Sequence, residues 1–150
     1  MIKDSKINLI LMADDDSDDR LLAEDALKES GCDLEIRFVE DGSELLDYLH
    51  QRNEYAEPAS APLPGLIILD LNMPRVDGRE ALREIKSDPR LKRIPVVVLT
   101  TSKSDTDITT MYNLGANSFI TKPAAFDTLV SLMKSLVDYW FNVVLKANTI

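Results

Sequence analysis

A chain of 150 residues, 45% apolar and 29% charged, is the size of one domain and can bury roughly two thirds of its unfolded surface without staples. One cysteine (Cys32) and one histidine (His50) exclude a disulfide framework, a cysteine-built zinc knuckle and a His-rich metal site, and they make a Ser-His-Asp triad a poor reading. The net charge of -9, from 17 Lys and Arg against 26 Asp and Glu, argues against binding nucleic acid through overall charge.

In chain order, the charged Met1–Lys6 stretch leads into a first apolar run, Ile7 to Ala13, followed by aspartates where a signal peptide would need small residues. Further runs follow at Leu34 to Val39, Leu66 to Leu69, Val96 to Leu99 and Phe119 to Thr121. Between them, residues such as Leu45, Leu46 and Leu49, or Ala81, Leu82 and Ile85, repeat at helical spacing. Alternating strands and helices imply βαβ units and a parallel sheet. Runs one, three and four are nearly all apolar, as strands covered on both faces should be. Run two alternates and run five is short, which makes them edges. The expected architecture is α/β, a doubly wound (βα)5 flavodoxin-like three-layer sandwich with strand order 2-1-3-4-5.

Residues 53–65, with Pro58, Pro62 and Pro64, read as a loop and not as a domain linker. No apolar run approaches 18 residues, so no membrane span is expected. The reading is one domain over 1–150, with its core at about 7–140, a C-terminal helix reaching about 146 and no output domain, in the cytoplasm.

In such a sheet, ligands sit beyond the carboxyl ends of the strands. Those ends carry Asp14-Asp15-Asp16, Asp70-Leu71-Asn72, Thr100-Thr101-Ser102 and Lys122-Pro123. Residues 14–25 hold seven acids against one Arg20, a local net of -6. A helix N-terminus accounts for Asp18 and Asp19, but not for Asp14 and Asp15 at the end of a buried strand beside Asp70. Carboxylates crowded in a partly desolvated crevice repel, and a hard divalent cation such as Mg²⁺ would relieve them. Asp70 is then either a metal ligand only or also a nucleophile that becomes an aspartyl phosphate. Lys122 could neutralise phosphoryl oxygens and the Thr100 hydroxyl could donate to another.

The combination of Asp14-Asp15, Asp70, Thr100 and Lys122-Pro123, with Asp15, Asp70, Thr100 and Lys122 separated by 55, 30 and 22 residues, resembles the receiver domains of two-component response regulators. Within that family, DLNMPRVDGRE, IPVVVLTTS and the C-terminal Tyr-Trp are similar to the regulators paired with cyanobacterial phytochromes. The resemblance implies a phosphoacceptor signalling protein, catalysing only its own phosphorylation and slow autodephosphorylation. Asp70 would take phosphate from a sensor histidine kinase, a phytochrome among the candidates. Mg²⁺ would be held by Asp15, Asp70 and the Asn72 backbone carbonyl, and by Asp14 through water. Lys122 would pair with the phosphoryl group, Thr100 and Phe119 would form the switch, and the Lys122–Pro123 bond would be cis. A tight turn through Met73-Pro74 and Asp77-Gly78 would open helix three, with Gly78 in a conformation costly to side chains.

Two rivals fit less well. A phosphatase of the haloacid dehalogenase type needs an acid two residues after the nucleophile, where Asn72 stands, and its nucleophile follows strand one. An EF-hand-like loop from Asp14 to Asp25 has Asp19 where glycine is needed and is preceded by a strand.

The last helix, from Phe126 to Val144, should run ~27 Å. Phe126, Leu129, Val130, Met133, Val137, Trp140, Phe141 and Val144 form the expected core stripe. Leu132, Leu136, Tyr139 and Val143 form a second stripe, read as a homodimer interface together with strand five. Output is expected through contact with another protein.

Overall fold

A computed structural model describes residues 8–145. Five parallel strands, β1 (Leu9–Ala13), β2 (Glu35–Val39), β3 (Leu66–Leu69), β4 (Val96–Thr100) and β5 (Ser118–Thr121), form one sheet in the order β2-β1-β3-β4-β5. Five α-helices alternate with them: α1 (Ser17–Glu29), α2 (Gly42–His50), α3 (Gly78–Ser87), α4 (Asp105–Asn113) and α5 (Phe126–Val137). The expected strand order and edges are those observed. Ile7, at the start of the first apolar run, lies outside the described residues.

The period-two geometry of a strand sends alternate side chains to opposite faces, and both faces here are apolar. Leu11, Ala13, Ile67, Leu69, Val96 and Val98 pack with Leu45, Leu49, Leu82, Ile85 and Met111 from α2, α3 and α4. Ile10, Met12, Leu66, Ile68, Val97 and Leu99 pack with Ala23, Ala26 and Leu27 of α1 and with Met133, Leu136 and Val137 of α5. Every residue of β1, β3 and β4 is buried, whereas β2 and β5 are only partly covered.

The 53–65 segment is better ordered than a plain loop. Single 3-10 turns form at Asn53–Tyr55 and Pro58–Ser60. Arg37, Gln51 and Tyr48 donate hydrogen bonds to the carbonyls of Ser60, Ala61 and Pro62, and Ala61 is fully buried.

The last helix departs from expectation in three ways. Regular α-helix ends at Val137 and wider π turns continue over Asp138–Val143, after which Val144 is extended; the expected end near 146 lies outside the described residues. Phe126, placed in the core stripe, is 39% exposed. Leu136, placed in the dimer stripe, is buried, and Leu132 packs against the same α1–α5 core. The two stripes lie side by side on a helix that packs against both the sheet and α1, so the inner part of the second stripe joins the core. Only Tyr139 and Val143 of that set are exposed.

Candidate functional site

The carboxyl edges of β1, β3, β4 and β5 converge as the topology requires. Asp14 and Asp70 are held by strand-like backbone bonds, Asp14 N–H to the Val39 carbonyl at 3.1 Å and Asp70 N–H to the Ala13 carbonyl at 3.1 Å. Lys122 N–H donates to the Thr100 carbonyl at 2.8 Å, which fixes the end of β5 against β4. Thr100 is fully buried and Asp70 nearly so.

At this edge one ammonium meets three carboxylates. Lys122 Nζ lies 2.6 Å from Asp19 Oδ2, 2.9 Å from Asp14 Oδ2 and 3.1 Å from Asp70 Oδ2. Burial works against the charged lysine, but the hydrogen bond to Asp19 and the negative charges of Asp14 and Asp70 outweigh it, so the ammonium is held above the ordinary lysine range. Asp14 behaves oppositely. Burial pushes its carboxyl above the usual carboxylate range and Asp70 adds repulsion; the Asp16 N–H and Lys122 only partly offset this.

Asp14, Asp15 and Asp70 can bring one carboxylate oxygen each to within 4.8 Å of one another. Asp14 Oδ2 is buried with no hydrogen bond, since the Lys122 ion pair falls outside hydrogen-bond geometry. An orphaned buried oxygen among hard oxygen donors fits a divalent cation. Asp15 is exposed, which keeps one side of the cluster open to solvent.

The site is framed by contacts that sequence inspection missed. Asp16 caps α1 by accepting from the N–H groups of Asp18 and Asp19, and the Asp19 carboxylate of that first turn accepts from Lys122 instead of being only a helix-terminus charge. Ser102 donates to Asp107 Oδ2 at 2.8 Å, while Arg79 holds Asp107 Oδ1 at 2.8 Å. The segment after Thr100 is thereby tied to the first turns of α3 and α4. Arg75, with φ 67°, pairs with the buried Asp41 at 2.7 Å and joins the loop after Asp70 to the start of α2. The Asp19–Lys122, Arg79–Asp107 and Arg75–Asp41 pairs join residues far apart in sequence, so only packing reveals them.

Two local expectations are corrected. No cis peptide bond occurs among the described residues, so Lys122–Pro123 is trans. Trans is the default by about 0.5–1 kcal/mol, and Lys122 reaches all three carboxylates with it. Gly78 does not adopt a positive φ. It is needed for space: a Cβ there would lie 2.4 Å from the Asp70 carbonyl oxygen. Phe119 is half-buried beside the α2–α4 core, and its N–H donates to the Tyr112 hydroxyl at 3.1 Å. Asn72 is exposed, with its N–H 3.5 Å from Asp70 Oδ1.

Residues 10–134 match the model of the response regulator receiver domain family. The chain is 40% identical over 136 residues to the response regulator Rcp1 of Synechocystis sp., covering 91% of this chain and 90% of that one. It is also similar to the crystal structure of the phosphorylated cyanobacterial phytochrome response regulator RcpA, with a TM-score of 0.86 and 43% identity over 94% of this chain and 99% of that one. The Mn²⁺-bound form of Rcp1 gives a TM-score of 0.83 and 39% identity over 94% of this chain and 99% of that one.

Proposed function

The chain belongs to the family of response regulator receiver domains, and we propose that Asp70 is its phosphoacceptor, served by a sensor histidine kinase in a Mg²⁺-dependent reaction. The observation that carries this reading is the buried Asp70 carboxylate at the end of β3, 3.1 Å from an ammonium and grouped with two further acids.

In the reaction, an Asp70 carboxylate oxygen attacks the phosphorus of a phosphohistidine. A P–O bond forms, the P–N bond breaks, and the imidazole nitrogen keeps the electron pair. Asp14, Asp15, Asp70 and the Asn72 carbonyl would hold the cation, which when bound neutralises charge on the phosphoryl oxygens. Lys122 shifts from carboxylates to a phosphoryl oxygen, and the Thr100 hydroxyl donates to another. Because Thr100 is buried, its movement toward the phosphoryl group leaves a space that Phe119 fills from its half-buried position. This is a shift in a two-state equilibrium, sized by the differential contacts of the two states. Slow attack of water on the aspartyl phosphate resets the protein.

The relation to the cyanobacterial phytochrome response regulator RcpA favours a phytochrome as the kinase. The phosphorylated state signals by contact with a downstream protein, and two copies associate through β5 and the exposed residues of the last helix, Tyr139 and Val143. No helix among the described residues is long and apolar enough to cross a membrane, and the reading places the protein in the cytoplasm.

The deciding experiment is incubation with acetyl phosphate and Mg²⁺, followed by intact mass. Wild type should gain one acid-labile phosphate and Asp70→Asn none, since an amide is no nucleophile. Stoichiometric phosphate on Asp70→Asn would overturn the assignment.

A further inference from the structure

Of the three carboxylates around Lys122, two are accounted for by the proposed phosphoryl transfer and one is not. Asp14 and Asp70 belong to the cluster suited to a cation, and Asp19 lies outside it. Yet Asp19 makes the shortest contact with the ammonium, 2.6 Å, and the contact is a hydrogen bond.

The position of Asp19 differs from that of its partners in a way that bears on function. Its side chain is 32% exposed, against 0% for Asp14 and 9% for Asp70. It stands at the third position of α1, on the rim, with its backbone fixed by the Asp16 cap. Leu22, Leu99, Pro123 and Leu129 line a small cleft beside the pair. The neighbouring Asp18 has the same charge and lies in the same first turn, but its side chain is exposed and pairs with no cation among the described residues. Helix-terminus electrostatics therefore explain Asp18 fully and Asp19 only in part.

Resting on the assignment of Asp70 as phosphoacceptor, we propose that Asp19 is a positioning residue that holds the Lys122 ammonium at the rim of the site and competes for it with the oxygens of the incoming phosphoryl group. An ammonium has three donors; two of them bond Asp19 and Asp70 and Asp14 Oδ2 crowds the same nitrogen at 2.9 Å, so a phosphoryl oxygen reaches Lys122 by displacing one of these contacts. Asp19 also places a negative charge beside the path of an anionic donor. Both effects act on the bound donor and on the transition state alike, because Lys122 serves the same oxygens in each. Uniform effects of this kind change KM and leave the maximal rate alone.

The test measures the rate of labelling against acetyl phosphate concentration, at saturating Mg²⁺, for wild type, Asp19→Asn, Asp19→Glu and Asp18→Asn. Asp19→Asn should lower KM about two- to fivefold, the range of a partly exposed ion pair, with the maximal rate unchanged. Asp19→Glu should restore the wild-type KM, because the carboxylate is kept. Asp18→Asn removes the same charge from the same helix turn and should move KM by less. Equal KM shifts in Asp18→Asn and Asp19→Asn would overturn the proposal, since the general field would then suffice. A raised KM in Asp19→Asn would also overturn it, by showing that Asp19 assists capture. Labelling of wild type with no effect at Asp19 sinks this inference alone; failure to label wild type sinks the phosphoacceptor reading as well.

Discussion

Replacing Gly78 by alanine tests how tightly the start of α3 is seated against the phosphoacceptor. The added Cβ would lie 2.4 Å from the Asp70 carbonyl oxygen, 2.9 Å from Leu71 Cα and 3.2 Å from the Asp70 carbonyl carbon. All three are backbone atoms, so no side chain can swing aside. The Gly78 N–H also donates to the Leu71 carbonyl at 2.9 Å, which holds the two segments together. Ordinary contact would require a separation about 1 Å larger. Either α3 lifts or the end of β3 shifts, and Asp70 is on that end. Overpacking costs about 1–3 kcal/mol, and the better helix propensity of alanine returns at most about 1 kcal/mol. The expected net loss is about 1–2 kcal/mol in urea unfolding. A displacement near 1 Å at a reacting group costs up to about 100-fold in rate, so labelling by acetyl phosphate should fall by about 10- to 100-fold. Gly31→Ala is the control. It has φ 79° but no heavy atom within 4 Å of the new Cβ, in the turn between α1 and β2. It should lose about 1–2 kcal/mol from backbone strain alone and label normally. A folded Gly78→Ala protein that labels at the wild-type rate would refute the argument that α3 fixes Asp70.

Two further predictions concern charge and association. Burial holds the Asp14 carboxyl above its unfolded value of 3.8, so the native state keeps that proton to higher pH than the unfolded chain. The stability this provides is fully present below pH 3.8 and is lost as pH rises through the raised native value. Asp14→Asn keeps the acceptor for the Asp16 N–H and removes the titration. In metal-free buffer the variant should therefore gain on wild type as pH rises from 4 to 7 in urea unfolding, and a pH-independent difference would refute the sign. For association, Tyr139→Glu/Val143→Glu should shift sedimentation toward monomer, while a wild type that is strictly monomeric at tens of micromolar in both phosphorylation states would remove the proposed dimer.

Much of the fold was legible because its determinants are local. Unbroken apolar runs such as Leu66–Leu69 and Val96–Leu99 mark strands covered on both faces, and the weaker alternation of Leu34–Val39 marks an edge. From that order the strand ends, and so Asp14, Asp70, Thr100 and Lys122, could be grouped before any contact was known. The features that escaped are those set by tertiary packing or by backbone detail. The π turns of Asp138–Val143 leave no trace in composition, since one extra residue per turn alters no propensity. Leu136 shares helical spacing with Tyr139 and Val143, yet it is buried because α1 covers that part of α5. The Arg79–Asp107–Ser102 link joins residues whose partners are fixed only when α3 and α4 dock.

Asp19 shows why a correct local reading can still be incomplete. Acids in the first turn of a helix are favoured whatever lies nearby, so their presence there carries little information about a site. The informative fact is directional. In a βα unit the first turn of the helix lies just beyond the strand end, so a side chain from that turn can meet one from a neighbouring strand. α1 begins three residues after Asp14, and α5 begins four residues after Lys122. The α1–α5 seam therefore closes over the β1 and β5 ends, and an acid on α1 meets the lysine of β5 across a sequence separation of 103 residues. The exposed Leu22 of α1 lines the cleft beside this contact. Charge competition at Lys122 is thus set where α1 and α5 approach each other, and a change in that approach would alter the Asp19 contact before it altered Asp70, which is fixed by β1 pairing.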